Sequence, residues 1–334
     1  MGYSLLSKYR SELMGAAMLW VMLYHAEALE FEVKMFNLVR GAGFGGVDVF
    51  ILLSAMGLAM SLGRREQEYA SFMARRAKRI LPAYFVVMVP YTLYLILVKD
   101  AAWSALVWNG TLLYYWMRSS GAFNWYVAGV MTFYAITPFC FRKLRDSKHR
   151  IALTGAAVFL SFALCRLLVR EDYWYVMDVF YRVPVFFLGL LLGFFVLDGR
   201  KMGRKDLVFW TVWLVLGGSY LYASGNIPEG STPLPLCHLF LFTTVPMCFG
   251  LCLLFEKLPL GILRKGLQLV GEHSLEIYLL NVSLFAERAL LQQYLDFGPG
   301  HYIYYAITIA LNILLGVLLH CLVKRAEKRF HSVV

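Results

Sequence analysis

The sequence predicts an all-α integral membrane protein, a bundle of about ten transmembrane helices with both termini cytoplasmic. Three observations carry this. Apolar residues make up 60% of the 334 residues against 16% charged, and mean hydropathy is +0.62, a composition outside the soluble range. The apolar residues fall in runs long enough, or nearly so, to cross a hydrocarbon layer about 30 Å thick. The cationic residues collect in alternate connections, as expected where Lys and Arg stay on the inner side.

The first run, residues 13–29, follows Lys8 and Arg10. It is long, lacks a small-residue cleavage pattern and carries His25, so it is expected to be a retained first helix and not a signal peptide. The second, 45–62, opens on Gly46-Val47-Asp48, and the third, 82–98, on Pro82, a residue suited to the first turn of a helix. Next come 124–141 and 151–168, then 182–198 and 207–223, and finally 236–255, 273–291 and 302–323. The stretch 103–117 is short, holds Asn109 and Gly110, and is flanked by Lys99 with Asp100 and by Arg118. Counting it as a span would invert every later connection, so it is expected to lie in the outer interface or to re-enter the bundle. With ten spans, the inner segments hold 24 of the 32 Lys and Arg. The runs recur along the whole chain, so 1–334 is expected to form a single membrane domain.

The net charge of +11 then follows from topology and from attraction to anionic membrane lipids, and no nucleic-acid partner is needed. The six cysteines, Cys140, Cys165, Cys237, Cys248, Cys252 and Cys321, lie in or at the ends of apolar runs without CxxC spacing and suit packing. No metal is expected.

His25 is the first candidate for chemistry. Twelve residues beyond Leu13, it would lie roughly 18 Å into the membrane, past the midplane. An ionisable group there faces the bundle interior, either as a hydrogen-bonded core imidazole or as a group that moves protons. The second candidate is Arg75-Arg76-Ala77-Lys78-Arg79-Ile80-Leu81-Pro82-Ala83-Tyr84. Arg75 and Arg79, four apart, share a helix face. Such a cluster at a membrane face either grips phosphates bidentately or binds lipid headgroups as an ordinary inner loop.

Several segments in order are similar to one family. Leu23-Tyr24-His25, then Gly46-Val47-Asp48-Val49-Phe50-Ile51-Leu52-Leu53-Ser54, then the arginine block to Tyr84, resemble the acyltransferase type 3 family of membrane O-acyltransferases. Asn124-Trp125-Tyr126-Val127 with Phe133-Tyr134 and Pro138, and Ser274-Leu275-Glu276-Ile277-Tyr278-Leu279-Leu280-Asn281, are similar to its Trp segment and its late signature. The resemblance covers the whole chain and implies an acetyl-CoA-dependent O-acetyltransferase. It implies His25 as catalytic base or acyl relay, and Arg75, Arg76, Arg79 and Tyr84 as the acetyl-CoA site. Trp125, Glu276 and Asn281 are implied on the acceptor side. Asp48 opens the second span near the outer face and is expected either to fix the His25 tautomer or to cap its own helix. Glu27, two residues from His25, points elsewhere.

The chain departs from the family pattern at Met14, where a basic residue is usual and Arg10 lies one turn earlier. It departs also at Ala55 for Gly, at Val130 for an acid and at Asn281 for a histidine. Aromatics crowd the outer connections: Trp103, Trp108, Tyr114, Tyr115 and Trp116; Tyr173, Trp174 and Tyr175; Tyr302, Tyr304 and Tyr305. They suit an interfacial belt or a sugar-stacking platform. The expected protein is thus a divergent enzyme of the bacterial inner (plasma) membrane. It acylates a cell-surface glycan or lipid-linked sugar met at the bundle itself. The alternatives are a transporter of such a precursor, or a catalytically silent sensor on the same fold.

Overall fold

The computed structural model describes residues 2–26, 29, 31–117, 122–225, 239–284 and 302–333. Glu27, Arg118, Cys237 and residues 285–291 of the expected ninth span lie outside the described residues. The helices are α1 (Ser4–Lys8), α2 (Arg10–Tyr24), α3 (Lys34–Gly41), α4 (Gly46–Arg64), α5 (Tyr69–Val98), α6 (Ser104–Gly110), α7 (Trp125–Asp146) and α8 (Arg150–Arg170). They continue with α9 (Met177–Phe180), α10 (Val183–Leu197), α11 (Arg204–Gly225), α12 (Leu239–Lys257), α13 (Gly261–Glu272), α14 (Ser274–Leu284) and α15 (Tyr302–Val333). No β-strand occurs among the described residues.

Six helical stretches are long and apolar enough to cross a membrane: Lys34–Arg64, Tyr69–Val98, Arg150–Arg170, Trp174–Leu197, Phe240–Lys257 and Tyr302–Arg329. The helices α8 and α15 keep most of their apolar side chains on the outside, as lipid-facing helices do. Helix α4 is buried almost throughout and forms the axis of the bundle.

Small residues set the closest crossings. Gly189 and Gly193, four apart on α10, meet α4 so tightly that a Cβ on either would strike the carbonyl of Leu52 or of Met56. Paired small residues at this spacing let helix backbones approach where lipid offers no hydrophobic drive. Between α2 and α13 the crossing is sealed by a buried carboxylate, Glu12, which accepts hydrogen bonds from Arg264 at 3.1 Å and Gln268 at 2.9 Å.

One expectation changes. Pro82 does not begin a helix, because α5 runs unbroken from Tyr69 through both Pro82 and Pro90. Membrane helices tolerate proline where neighbours re-satisfy the carbonyl it strands, so the arginine block is the first part of that same helix. Residues 261–272, in the connection between two expected spans, form the amphipathic helix α13. The stretch 103–117 forms the seven-residue α6 and a four-residue 3-10 turn. At about 1.5 Å per residue α6 covers only about 10 Å, far short of a span.

Candidate functional site

Three cavities follow one another along α2 and α4, which run antiparallel. The first, about 600 Å³, is lined by Ser7, Arg10, Arg64, Arg75, Arg76 and Arg79 among others. The second, about 780 Å³, shares Arg10, Ser54, Arg79 and Tyr134 with the first and adds Met14, Lys78, Glu276 and His320. The third, about 350 Å³, is lined by Val21, Tyr24, His25, Phe44, Val47, Trp125, Asp178, Arg182 and Tyr278. It meets the second at Val47 and Tyr278. Along α2 the linings pass from Ser7 and Arg10 through Met14 to His25. With 15 residues, α2 separates its two ends by roughly 22 Å.

The basic end is built by α5 and α2. Arg75, Arg76 and Arg79 all line the first cavity, and Arg79 reaches the second as well. Arg75 is held by Gln67, whose amide nitrogen donates to Ser61. Arg76 lies over the Phe72 ring, 5.2 Å from its centroid. The Nε atoms of Arg10 and Arg76 are buried without a hydrogen-bond partner. Unsatisfied guanidinium donors beside a cavity suit a polyanionic ligand, since phosphate oxygens accept them bidentately. Arg10 and Met14 line the same cavity, so a cation stands one turn from the departure at Met14. Tyr84 does not join this group: it is buried, and its hydroxyl donates to the Asn109 carbonyl at 2.8 Å, tying α5 to α6.

At the opposite end, His25 follows the last turn of α2, half-buried. Its Nδ1 lies 3.0 Å from the Val21 carbonyl. A carbonyl only accepts, so Nδ1 carries the proton and the lone pair of the neutral ring falls on Nε2, the nitrogen suited to act as a base. Val21, and not Asp48, therefore makes the hydrogen bond that fixes the tautomer. Asp48 faces Arg182 instead, 3.6 Å from its Nε, with only 2% and 3% of the two side chains exposed. Two opposite charges withdrawn from water hold one another. Arg182 also donates to the Asp178 carbonyl at 2.6 Å and stacks on Trp125 at 4.6 Å.

Trp125 thus shares the His25 cavity, while Glu276 and Asn281 part company. Glu276 lines the second cavity, and Asn281 lines a small separate one with Met22, Tyr304 and Asn312. Five residues along a helix turn about 140°, so one cleft cannot hold both. None of the outer-connection aromatics lines the His25 cavity. Trp103 and Trp174 are largely exposed, as an interfacial belt requires.

Arg182 and His320 were missed from sequence. The signal for the first was its spacing, four residues after Asp178 at the edge of an apolar run. For His320 there was none, since its partner Glu276 is 44 residues away.

No curated protein and no solved structure matches the chain. A family model described as an acyltransferase domain matches residues 15–322. That span holds both the arginine cluster and His25, and on it the chain belongs to the acyltransferase type 3 family of membrane acyltransferases.

Proposed function

We propose that the protein is an O-acyltransferase that moves an acetyl or similar short acyl group from cytoplasmic acetyl-CoA to a hydroxyl of an exported cell-surface glycan. In this reading the chain crosses the bacterial inner membrane ten times with both termini inside. Arg10, Arg75, Arg76 and Arg79 grip the phosphates of the donor, and His25 Nε2 takes the proton of the attacking hydroxyl. A positioned general base of this kind contributes about 10² to 10⁴ in rate. Trp125 and Tyr278 offer the sugar an aromatic wall beside that base. Asp48 and Arg182 hold the wall in place. The observation that carries the reading is the meeting of the arginine-lined cavity with the His25 cavity at Val47 and Tyr278.

The test is acetyl-CoA binding and cleavage by the purified protein in detergent. Arg79→Ala is expected to weaken binding by about 10- to 100-fold, as loss of a charge-assisted bond does. His25→Ala is expected to keep binding and to lose turnover. A folded wild type that does not bind acetyl-CoA overturns the proposal.

A further inference from the structure

The second cavity holds an arrangement that the catalytic scheme above does not use. His320 Nδ1 lies 2.7 Å from the Glu276 carboxylate, and the His273 ring stands edge-on to His320 with centroids 4.6 Å apart. Glu276 is buried and His320 is only partly exposed. The geometry is set by the helix crossing. Gly316, one turn before His320, lets α15 approach α14 so closely that a Cβ there would strike the Ile277 side chain and crowd its backbone, and Ile277 adjoins Glu276. A carboxylate accepts only, so Nδ1 carries a proton and Nε2 is the nitrogen that serves the cavity. This cavity is also lined by Lys78 and by Arg10 and Arg79, two of the four arginines of the proposed donor site.

The proton balance of acyl transfer gives such a group a task. The acceptor oxygen forms a bond to the thioester carbonyl carbon, and its proton passes to His25. The carbon–sulfur bond then breaks, its electron pair stays on sulfur, and the sulfur requires a proton to leave as a thiol. The carbon that carries both oxygen and sulfur must sit where the third cavity meets the second, at Val47 and Tyr278, with its oxygen towards His25 and its sulfur on the side of the second cavity. Of the other cations lining the second cavity, Lys78, Arg79 and Lys324 are exposed, and Arg10 carries a guanidinium, which does not give up its proton in proteins. His320 alone is a carboxylate-oriented imidazole, the arrangement that steadies an imidazolium for proton delivery.

We infer that His320, oriented by Glu276 on the donor side, is a second catalytic residue that protonates the departing sulfur of the acyl-CoA. The inference rests on the proposed acyltransferase activity. His320 regains its proton from water of the basic cavity, and His25 releases its own to water of the other.

The test uses full-length protein in detergent with acetyl-CoA as probe, reading free CoA thiol for turnover and CoA affinity separately. His320→Ala is expected to lower turnover about 10²-fold with CoA affinity within about threefold. Millimolar imidazole should restore at least about tenfold, a response that a packing role does not produce. His320→Gln keeps the side-chain bulk and should lose turnover equally if the alanine variant fails to fold. Glu276→Gln should lose less than either. Turnover within about threefold of wild type in the His320 variants overturns the inference, as does a folded, CoA-binding His320→Ala that imidazole leaves unchanged. A wild type that neither binds nor cleaves acetyl-CoA overturns the proposed function itself.

Discussion

Breaking the Asp48–Arg182 pair should be among the costliest single changes in the bundle. At 3.6 Å and an effective dielectric of about 20, the gross attraction is about 5 kcal/mol. Removing one partner of such a pair costs about 3–5 kcal/mol, because the other stays buried and uncompensated. The two single changes differ. Asp48→Asn leaves Arg182 with the Asp178 carboxylate at 3.8 Å and should fall near the lower figure. Arg182→Gln strands Asp48, whose carboxylate oxygens have no hydrogen-bond partner, and should fall near the upper one. The double variant Asp48→Asn with Arg182→Gln should be more stable than Arg182→Gln alone. Unfolding midpoints in mild detergent, by SDS titration with an orthogonal thermal scan, read all four proteins in one cycle. Singles within about 1 kcal/mol of wild type, or a double whose loss equals the sum of the singles, would refute the idea of a buried, mutually dependent pair.

Three further outcomes follow from the packing. Gly193→Leu should push α10 off α4 and cost about 1–3 kcal/mol, read as a lowered unfolding midpoint. Glu12→Ala should cost about 1–3 kcal/mol, because Gln268 and Arg264 lose one shared acceptor, though Arg264 is partly exposed and rehydrates. Asp206 is held below the usual carboxylate range. Burial alone would raise it, but the Gly203 amide, the Tyr3 hydroxyl and Arg200 together outweigh that. A depressed native value stabilises the fold at pH above the unfolded value and is lost as pH falls through the native one. Asp206→Asn should therefore be less stable than wild type at pH 7, with the gap closing below about pH 4, as thermal scans at both pH values would show.

Much of the architecture was legible in the sequence because hydropathy and length are local properties. A run of apolar residues reads as a helix wherever it packs, and the short polar-interrupted stretch 103–117 declared itself by length. Pro82 misled because its preference for a first turn is also local, whereas its tolerance within α5 depends on neighbours. The amphipathic α13 was hidden by its charge: Arg264 and Lys265 look like loop residues until Glu12 is set opposite the first of them.

The sequence by itself determined that this is a helical membrane protein, and its motifs led to the family and to His25 and the arginine block as its chemical groups. Those are statements about composition and about residues close in the chain. The tertiary structure alone decided which of them meet. It turned Asp48 from His25 to Arg182, set Glu276 apart from Asn281, and brought His320 across 44 residues onto the Glu276 carboxylate. The physical reason is that a charge withdrawn from water must find its partner across a helix crossing, and crossings are fixed by small residues such as Gly189, Gly193 and Gly316 whose partners lie on other helices.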